Sequence, residues 1–281
     1  MAPPQTIRVA LAQVDCVLGD VAANTAAACT TVARARSEGA DLVVFPELSL
    51  TGYSMGHVAA DVTRASGDEE LTAIAAAADG MGCVVGFAEA GRVHTYDSAA
   101  YLQGGAVRHV HRKLFLPTYD IWEERKHFTP GDAIRAFDTP WGCAAVLICG
   151  DAWQPALASV AVQDGARVLI VPAASTARKP EIQADWRDIC RFYARMLECF
   201  VIFVNRVGVE PGLDFWGGSL IYDPYGECVA EAPMGEPALV SAELDLTAVR
   251  RRRREMPLVK EARLGMLRRE LDRLVAEGGD L

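Results

Sequence analysis

The 281-residue chain lacks several things, and each absence excludes a class of protein. No apolar run comes near the roughly 18 residues that a membrane span requires. The opening residues, MAPPQTIRVALAQ, contain no basic stretch leading into an apolar core, so no export signal is read there. Cationic charge is short: 28 Lys and Arg stand against 37 Asp and Glu, a net charge of −9, which argues against nucleic acid and anionic membranes as partners. The eight cysteines include no pair two residues apart and no framework spacing. Neither a zinc module nor a disulfide scaffold is expected from them; reduced thiols in a cytoplasm are. Linkers, repeats and low-complexity stretches are also missing. What remains is 51% hydrophobic and 23% charged, an ordinary globular composition, and one domain over residues 1–281 is expected.

Strand and helix patterns then alternate along the chain. Residues 7–13 (IRVALAQ) alternate as a half-buried strand does, and 21–40 read as an Ala-rich helix capped by Asp20 and ended by Gly39. A buried strand over 41–45 leads into PELSLTGY, which leaves Glu47 at the strand exit. A helix over 69–78 and a strand over 83–88 follow. Residues 98–113 read as a hairpin turning at Gly104-Gly105, with His109, His111 and Lys113 on one face at period two. The His-x-His pair has no third ligand at suggestive spacing, so no metal is expected. Beyond Lys113 runs a loop too rich in Pro, Tyr, Trp and charge to be a mere connector.

A hairpin from 134 through a turn at 140–142 delivers the apolar run 144–149 (AAVLIC). Strand–helix units follow: helix 156–163 with strand 166–171, and helix 181–198 with strand 200–205. A hairpin over 217–231 turns at DPYG, a closing strand covers 239–244, and an amphipathic tail helix runs from about 258 to 276. The five arginines at 250–254 read as a solvated helix surface. Mixed hairpins and strand–helix units with near-continuous apolar strands predict an α/β layered fold with helices outside.

Three reactive residues stand just past predicted strands: Glu47, Lys113 and Cys149. Strand ends in such folds share an edge, where residues distant in sequence converge. A cysteine attacks only as the thiolate, so it needs a base or a cationic neighbour. Glu47 supplies the one and Lys113 the other. Gly150 fits a tight turn after the nucleophile, where a positive φ is expected, and its N–H is a candidate oxyanion donor.

The segments FPELSLTGY, HRKLFLP and LICGDAW, in that order, resemble the three signatures of the nitrilase superfamily of carbon–nitrogen hydrolases. The resemblance runs from residue 7 to about 258 and takes in TPGD, DFWGGSLIYDPYG and ARMLE. It implies a four-layer α-β-β-α sandwich, a Glu-Lys-Cys triad, no cofactor, and assembly into a homodimer or larger even-numbered oligomer. By the same resemblance Glu47 is the general base, Lys113 the oxyanion-stabilising lysine and Cys149 the nucleophile. A second glutamate falls at Glu124, with Glu123 one residue away as the alternative. The stretch 112–128 is most similar to the glutaminase domain of glutamine-dependent NAD synthetase, but the chain stops where a synthetase domain would continue and carries no nucleotide-binding signature. Gly150, Ala156 and Cys199 depart from the usual family residues.

The implied reaction is hydrolysis of a small-molecule amide through a cysteine thioester. A nitrilase, an N-carbamoyl hydrolase, an N-acyltransferase and a non-catalytic binding protein are the alternatives. None of the four residues after Cys149 is basic, so no arginine follows the nucleophile to hold a substrate carboxylate. Tyr119, Trp122 and Trp153 are the candidate substrate walls. The distal part of the substrate is accordingly expected to be neutral, cationic or a glutamine-like zwitterion, unless Arg125, Lys126, Arg178 or Arg206 reaches the pocket from elsewhere.

Overall fold

The first apolar run, IRVALAQ, alternates large and small residues, and that choice already encodes two buried faces. In the computed structural model, which describes residues 4–58, 61–179 and 181–278, this run is β1 (Thr6–Gln13). Ile7, Val9 and Leu11 enter one core while Ala10 and Ala12 enter another. The strand is therefore covered on both faces, and the expectation of a half-buried strand is corrected. Small alanines, rather than polar residues, face the covering helices.

The elements follow as α1 (Val21–Ser37), β2 (Leu42–Val44), α2 (Glu69–Ala78), β3 (Gly82–Ala90), β4 (Thr95–Gln103) and β5 (Ala106–Arg112). Next come α3 (Glu124–His127), β6 (Phe137–Thr139), β7 (Gly142–Val146), α4 (Pro155–Gln163), β8 (Val168–Ala173), α5 (Ile182–Met196) and β9 (Phe200–Asn205). The last are β10 (Val207–Glu210), β11 (Leu213–Trp216), β12 (Leu220–Tyr222), β13 (Cys228–Glu231), β14 (Ala238–Asp245), α6 (Thr247–Glu255) and α7 (Leu264–Ala276). Asp20 caps α1 through a bond from the Ala23 N–H, and Gly104-Gly105 turns the β4–β5 hairpin, both as expected.

Two six-stranded sheets result, ordered β14-β1-β2-β3-β4-β5 and β13-β12-β9-β8-β7-β6. Within them β1, β2 and β3 run parallel, as do β7, β8 and β9, and the outer strands pair antiparallel. The sheets face each other across a core of Val9, Leu11, Val84, Val146, Ile170 and Ile202. Helices α1 and α2 cover the outer face of the first sheet, and α4 and α5 that of the second. The fold is thus the expected four-layer α-β-β-α sandwich. Each parallel strand has lost water on both faces, which is why its sequence is continuously apolar.

Three further expectations are corrected, and one hairpin lay outside them. The strand leading to Cys149 ends at Val146, and Cys149 itself opens a 3₁₀ turn, Cys149–Trp153. The hairpin β10–β11 was not expected; its GVEPGLD composition has little strand propensity, and its pairing is decided by tertiary contacts. The tail helix starts at Leu264 rather than near 258, because 258–260 are held in turns by Glu261 and Ala262 N–H bonds to Pro257 and Val259 carbonyls. The arginine run lies on α6, but it is not wholly solvated: Arg253 reaches the carbonyl of Ala166 and Arg252 stacks over Tyr225.

Candidate active site

The loop after β2 is pinned close to the sheet, and a missing side chain permits it. A Cβ on Gly86 of β3 would lie 2.4 Å from the Leu48 N and 2.5 Å from the Pro46 O. Glu47, 1% exposed, is therefore pressed inward at the sheet edge. Its Oε2 accepts from the Ala174 N–H at 2.7 Å, just past β8 in the opposite sheet. Its Oε1 accepts from Lys113 Nζ at 2.5 Å.

Lys113 directly follows β5 and is fully buried. Its Nζ also donates to Glu124 Oε1 at 2.7 Å, and Asp97 Oδ2 lies 3.5 Å away. Burial works to lower the lysine pKa, but the carboxylates of Glu124 and Glu47 outweigh it and hold the ammonium well above its ordinary value. Of the two adjacent glutamates, Glu124 enters the site and Glu123 pairs with Lys126 at the surface. Burial raises the Glu124 carboxyl to about 7, with Lys113 opposing and Glu47 adding to the rise. The hydroxyl of Tyr53 donates to the same Glu124 oxygen at 2.5 Å.

Cys149 sits at a positive φ of 42°, a strained position for a side chain with a Cβ. The expectation had put the left-handed residue at Gly150. The structure puts it one residue earlier, and Gly150 is small for a different reason: a Cβ there would lie 2.7 Å from the Phe115 carbonyl oxygen. Burial pushes the Cys149 thiol well up, the Glu47 charge adds to this, and Lys113 opposes. The resting group is a thiol beside a base and an ammonium, which suits proton removal concerted with attack.

Asp151, fully buried, fastens this turn to the lysine loop. Its Oδ1 accepts from the Leu114 and Phe115 N–H groups, both at 2.9 Å, and its Oδ2 accepts from Ile148 N–H and contacts His111 Nε2 at 2.8 Å. The two histidines noted in the sequence therefore have other employment. His111 holds Asp151, and His109 stacks on Phe137 at 4.4 Å. Oxygens of Glu47, Asp97 and Glu124 lie within 4.8 Å of one another, an arrangement able to hold a metal, but the Lys113 ammonium already stands among them as the cation.

Above Cys149 opens a cavity of about 240 Å³. Tyr119, Trp122 and Trp153, the candidate substrate walls, all line it, together with Tyr53 and Trp186. Tyr53 meets Trp122 edge-on at 5.6 Å, and Trp153 meets Trp186 likewise at 5.5 Å. The rim carries Asp120, Arg178, Lys179, Glu181 and Asp185. Of the four cations that sequence left open, Arg178 reaches the cavity and pairs with Asp120 at 3.0 Å. Arg206 is instead buried against Glu210, and Arg125 and Lys126 do not line the cavity.

Sequence reading missed Tyr53, Asp97 and Asp151. Each had a signal: Tyr53 closes the PELSLTGY segment, Asp97 interrupts the apolar strand YDSAAYL, and Asp151 stands two residues beyond Cys149. A carboxylate inside an apolar strand requires a partner, and the partner here is the site.

A thiol, a lysine and two glutamates gathered under one cavity make the kind of site that hydrolases use for acyl transfer. The chain belongs to the carbon–nitrogen hydrolase family, whose model, "Carbon-nitrogen hydrolase", matches residues 8–254. It is 30% identical over 249 residues to a glutamine-dependent NAD(+) synthetase of Thermotoga maritima, covering 85% of this chain and 42% of that protein. It thus spans less than half the length of the NAD synthetases it matches. It is 29% identical over 266 residues to an N-carbamoylputrescine amidase of Arabidopsis thaliana, covering 87% of this chain and 88% of that protein. Among solved structures, an amidase of Nesterenkonia sp. AN1 in complex with acrylamide has the same fold, with a TM-score of 0.81 at 22% identity, covering 96% of this chain and 99% of that one.

Proposed function

We propose that the chain is a thiol amidase in which Cys149, Glu47 and Lys113 form the catalytic triad. The observation that carries this reading is the Lys113 ammonium clamped between Glu47 and Glu124 beside the strained Cys149 at the floor of the cavity. Glu47 takes the thiol proton as sulfur attacks the amide carbon. Lys113 and the Gly150 N–H stabilise the oxyanion, a contribution of about 3–4 kcal/mol in a water-excluded site. Glu47 then gives its proton to the departing ammonia or amine. A water, deprotonated by Glu47, attacks the thioester and releases the acid and the thiol. Glu124 keeps Lys113 aimed throughout.

The substrate we propose is a small linear amide with a cationic or zwitterionic distal end. The mixed rim supports this: Asp185 and Glu181 suit an ammonium, and Arg178 with Lys179 suits a carboxylate. The names of the relatives point the same way, one being glutamine-dependent and the other acting on N-carbamoylputrescine. Ammonia release from glutamine, N-carbamoylputrescine, an N-carbamoyl amino acid and a simple nitrile decides among them. Turnover of the first or second is expected to exceed that of the N-carbamoyl amino acid and the nitrile; a clear preference for either of the latter defeats the assignment.

We further propose a homodimer or larger even-numbered assembly in a reducing cytoplasm. All eight cysteines are free, and no helix among the described residues is long and apolar enough to cross a membrane. Leu264, Leu267, Leu271 and Leu274 of α7 are exposed along one side of the helix, as residues awaiting a partner are.

A further inference from the structure

We propose that Asp97 is a positioning residue of this site: a carboxyl kept neutral by its neighbours, which gives its proton to a hydrogen bond with Glu47 and so leaves the Lys113 ammonium divided between Glu47 and Glu124. The proposal rests on the hydrolase reading of the site. Asp97 lies on β4 and is 1% exposed. No N–H or O–H donor reaches either of its oxygens, and its nearest cation is Lys113 Nζ, 3.5 Å from Oδ2.

Charge counting requires a proton here. Glu47, Asp97 and Glu124 would bring three negative charges against one ammonium, with their oxygens within 4.8 Å of one another and almost no water. Like charges that close cannot all ionise in a dry site. The donors decide where the proton rests. Glu47 accepts from Lys113 and the Ala174 N–H. Glu124 accepts from Lys113 and the Tyr53 hydroxyl. Asp97 accepts nothing, so ionising it costs most and protonating it costs least.

Burial first, and the Glu47 charge second, push the Asp97 carboxyl well above its ordinary range, with Lys113 opposing. The groups facing it are Glu47 from the loop after β2, Lys113 at the end of β5 and Glu124 on α3. Glu89 and Arg112 lie on the opposite face of the neighbouring strands and pair with each other.

The test reads the proton directly. Whole protein carrying aspartate labelled with ¹³C at its side-chain carboxyl is examined by infrared spectroscopy at pH 7. A protonated-carboxyl stretch that shifts with the label is expected in the parent and absent from Asp97→Asn. In turnover, Asp97→Ala is expected to lose about 10- to 100-fold in kcat, the equivalent of a hydrogen bond to a charged acceptor, with KM little changed. Asp97→Asn, neutral and still a donor, is expected to recover most of that loss. A parent with no protonated-aspartate band overturns the proposal, and so does a folded Asp97→Asn no more active than Asp97→Ala. The infrared readout needs no substrate. A chain that hydrolyses no amide would therefore defeat the amidase assignment while the band still judged Asp97.

Discussion

Two buried charge clusters lie on either side of Tyr53, and they are built to opposite rules. In one, Arg206 pairs with Glu210, reaches Asp15 Oδ1 at 3.1 Å and donates to the Cys16 carbonyl, while its guanidinium stacks on Phe215 at 4.4 Å. Glu210 also accepts from the Tyr53 and Ser54 N–H groups. Burial works to raise Glu210, but Arg206 and these donors outweigh it, so its carboxyl lies below the ordinary range. In the other cluster, around Lys113, carboxylates outnumber cations; Asp97 and Glu124 are raised, and Asp97 lacks any donor. Where the one buried carboxylate, Glu210, is matched by an arginine and supplied with donors, the cluster locks its protons and holds a loop. An unbalanced one keeps protons exchangeable, which acid–base chemistry requires.

The largest expected effect separates the clusters by activity. Cys149→Ala is expected to lose about 10⁴-fold or more in ammonia release, and Glu47→Gln about 10²- to 10⁴-fold, each with an unfolding midpoint close to the parent's. Next comes the converse. Glu210→Ala leaves the buried Arg206 with only the half-exposed Asp15 opposite it and is expected to cost about 3–5 kcal/mol in urea unfolding. If Glu47→Gln proved the more destabilising and Glu210→Ala the less, the distinction drawn between the clusters would collapse.

A subtler contrast lies in pH. The folded pKa of Asp97 is raised, so from roughly pH 4 upward, until that raised value is passed, the native state holds a proton that the unfolded chain has released. Stability from this group is complete below the unfolded value and declines as pH rises. Asp97→Asn removes the decline, so its stability relative to the parent should grow with pH by up to about 1.4 kcal/mol per unit. Denaturant melts at several pH values check it, and parallel curves for the two proteins would show no such proton. The smallest effect on catalysis is expected at α7, which adjoins neither cluster. Leu267→Asp with Leu271→Asp should shift light scattering toward monomer and leave the unfolding midpoint nearly unchanged.

Glu47 and Cys149 were legible from the sequence because each follows a short apolar run, Lys113 because it ends the alternating second strand of a hairpin, and all three because their segments resemble a known family in order and spacing. The α/β layered class was legible because buried parallel strands are continuously apolar and helices Val21–Ser37, Glu69–Ala78 and Ile182–Met196 alternate with them, whereas the four-layer sandwich was implied by the resemblance alone. Backbone strain was not legible, since φ at Cys149 depends on how the turn is tied to β5 through Asp151, 36 and 37 residues from its Phe115 and Leu114 partners. The choice of Glu124 over Glu123 depended on which way a four-residue helix faces. The Arg206–Glu210 pair and the β10–β11 hairpin also awaited the fold, because their energetics come from burial rather than from propensity. Sequence determined which reactive groups the chain carries and that they leave strands at one edge. Tertiary structure alone decided how many carboxylates share one ammonium, because distance and exclusion of water, which set the cost of charge, arise only when the two sheets close on each other.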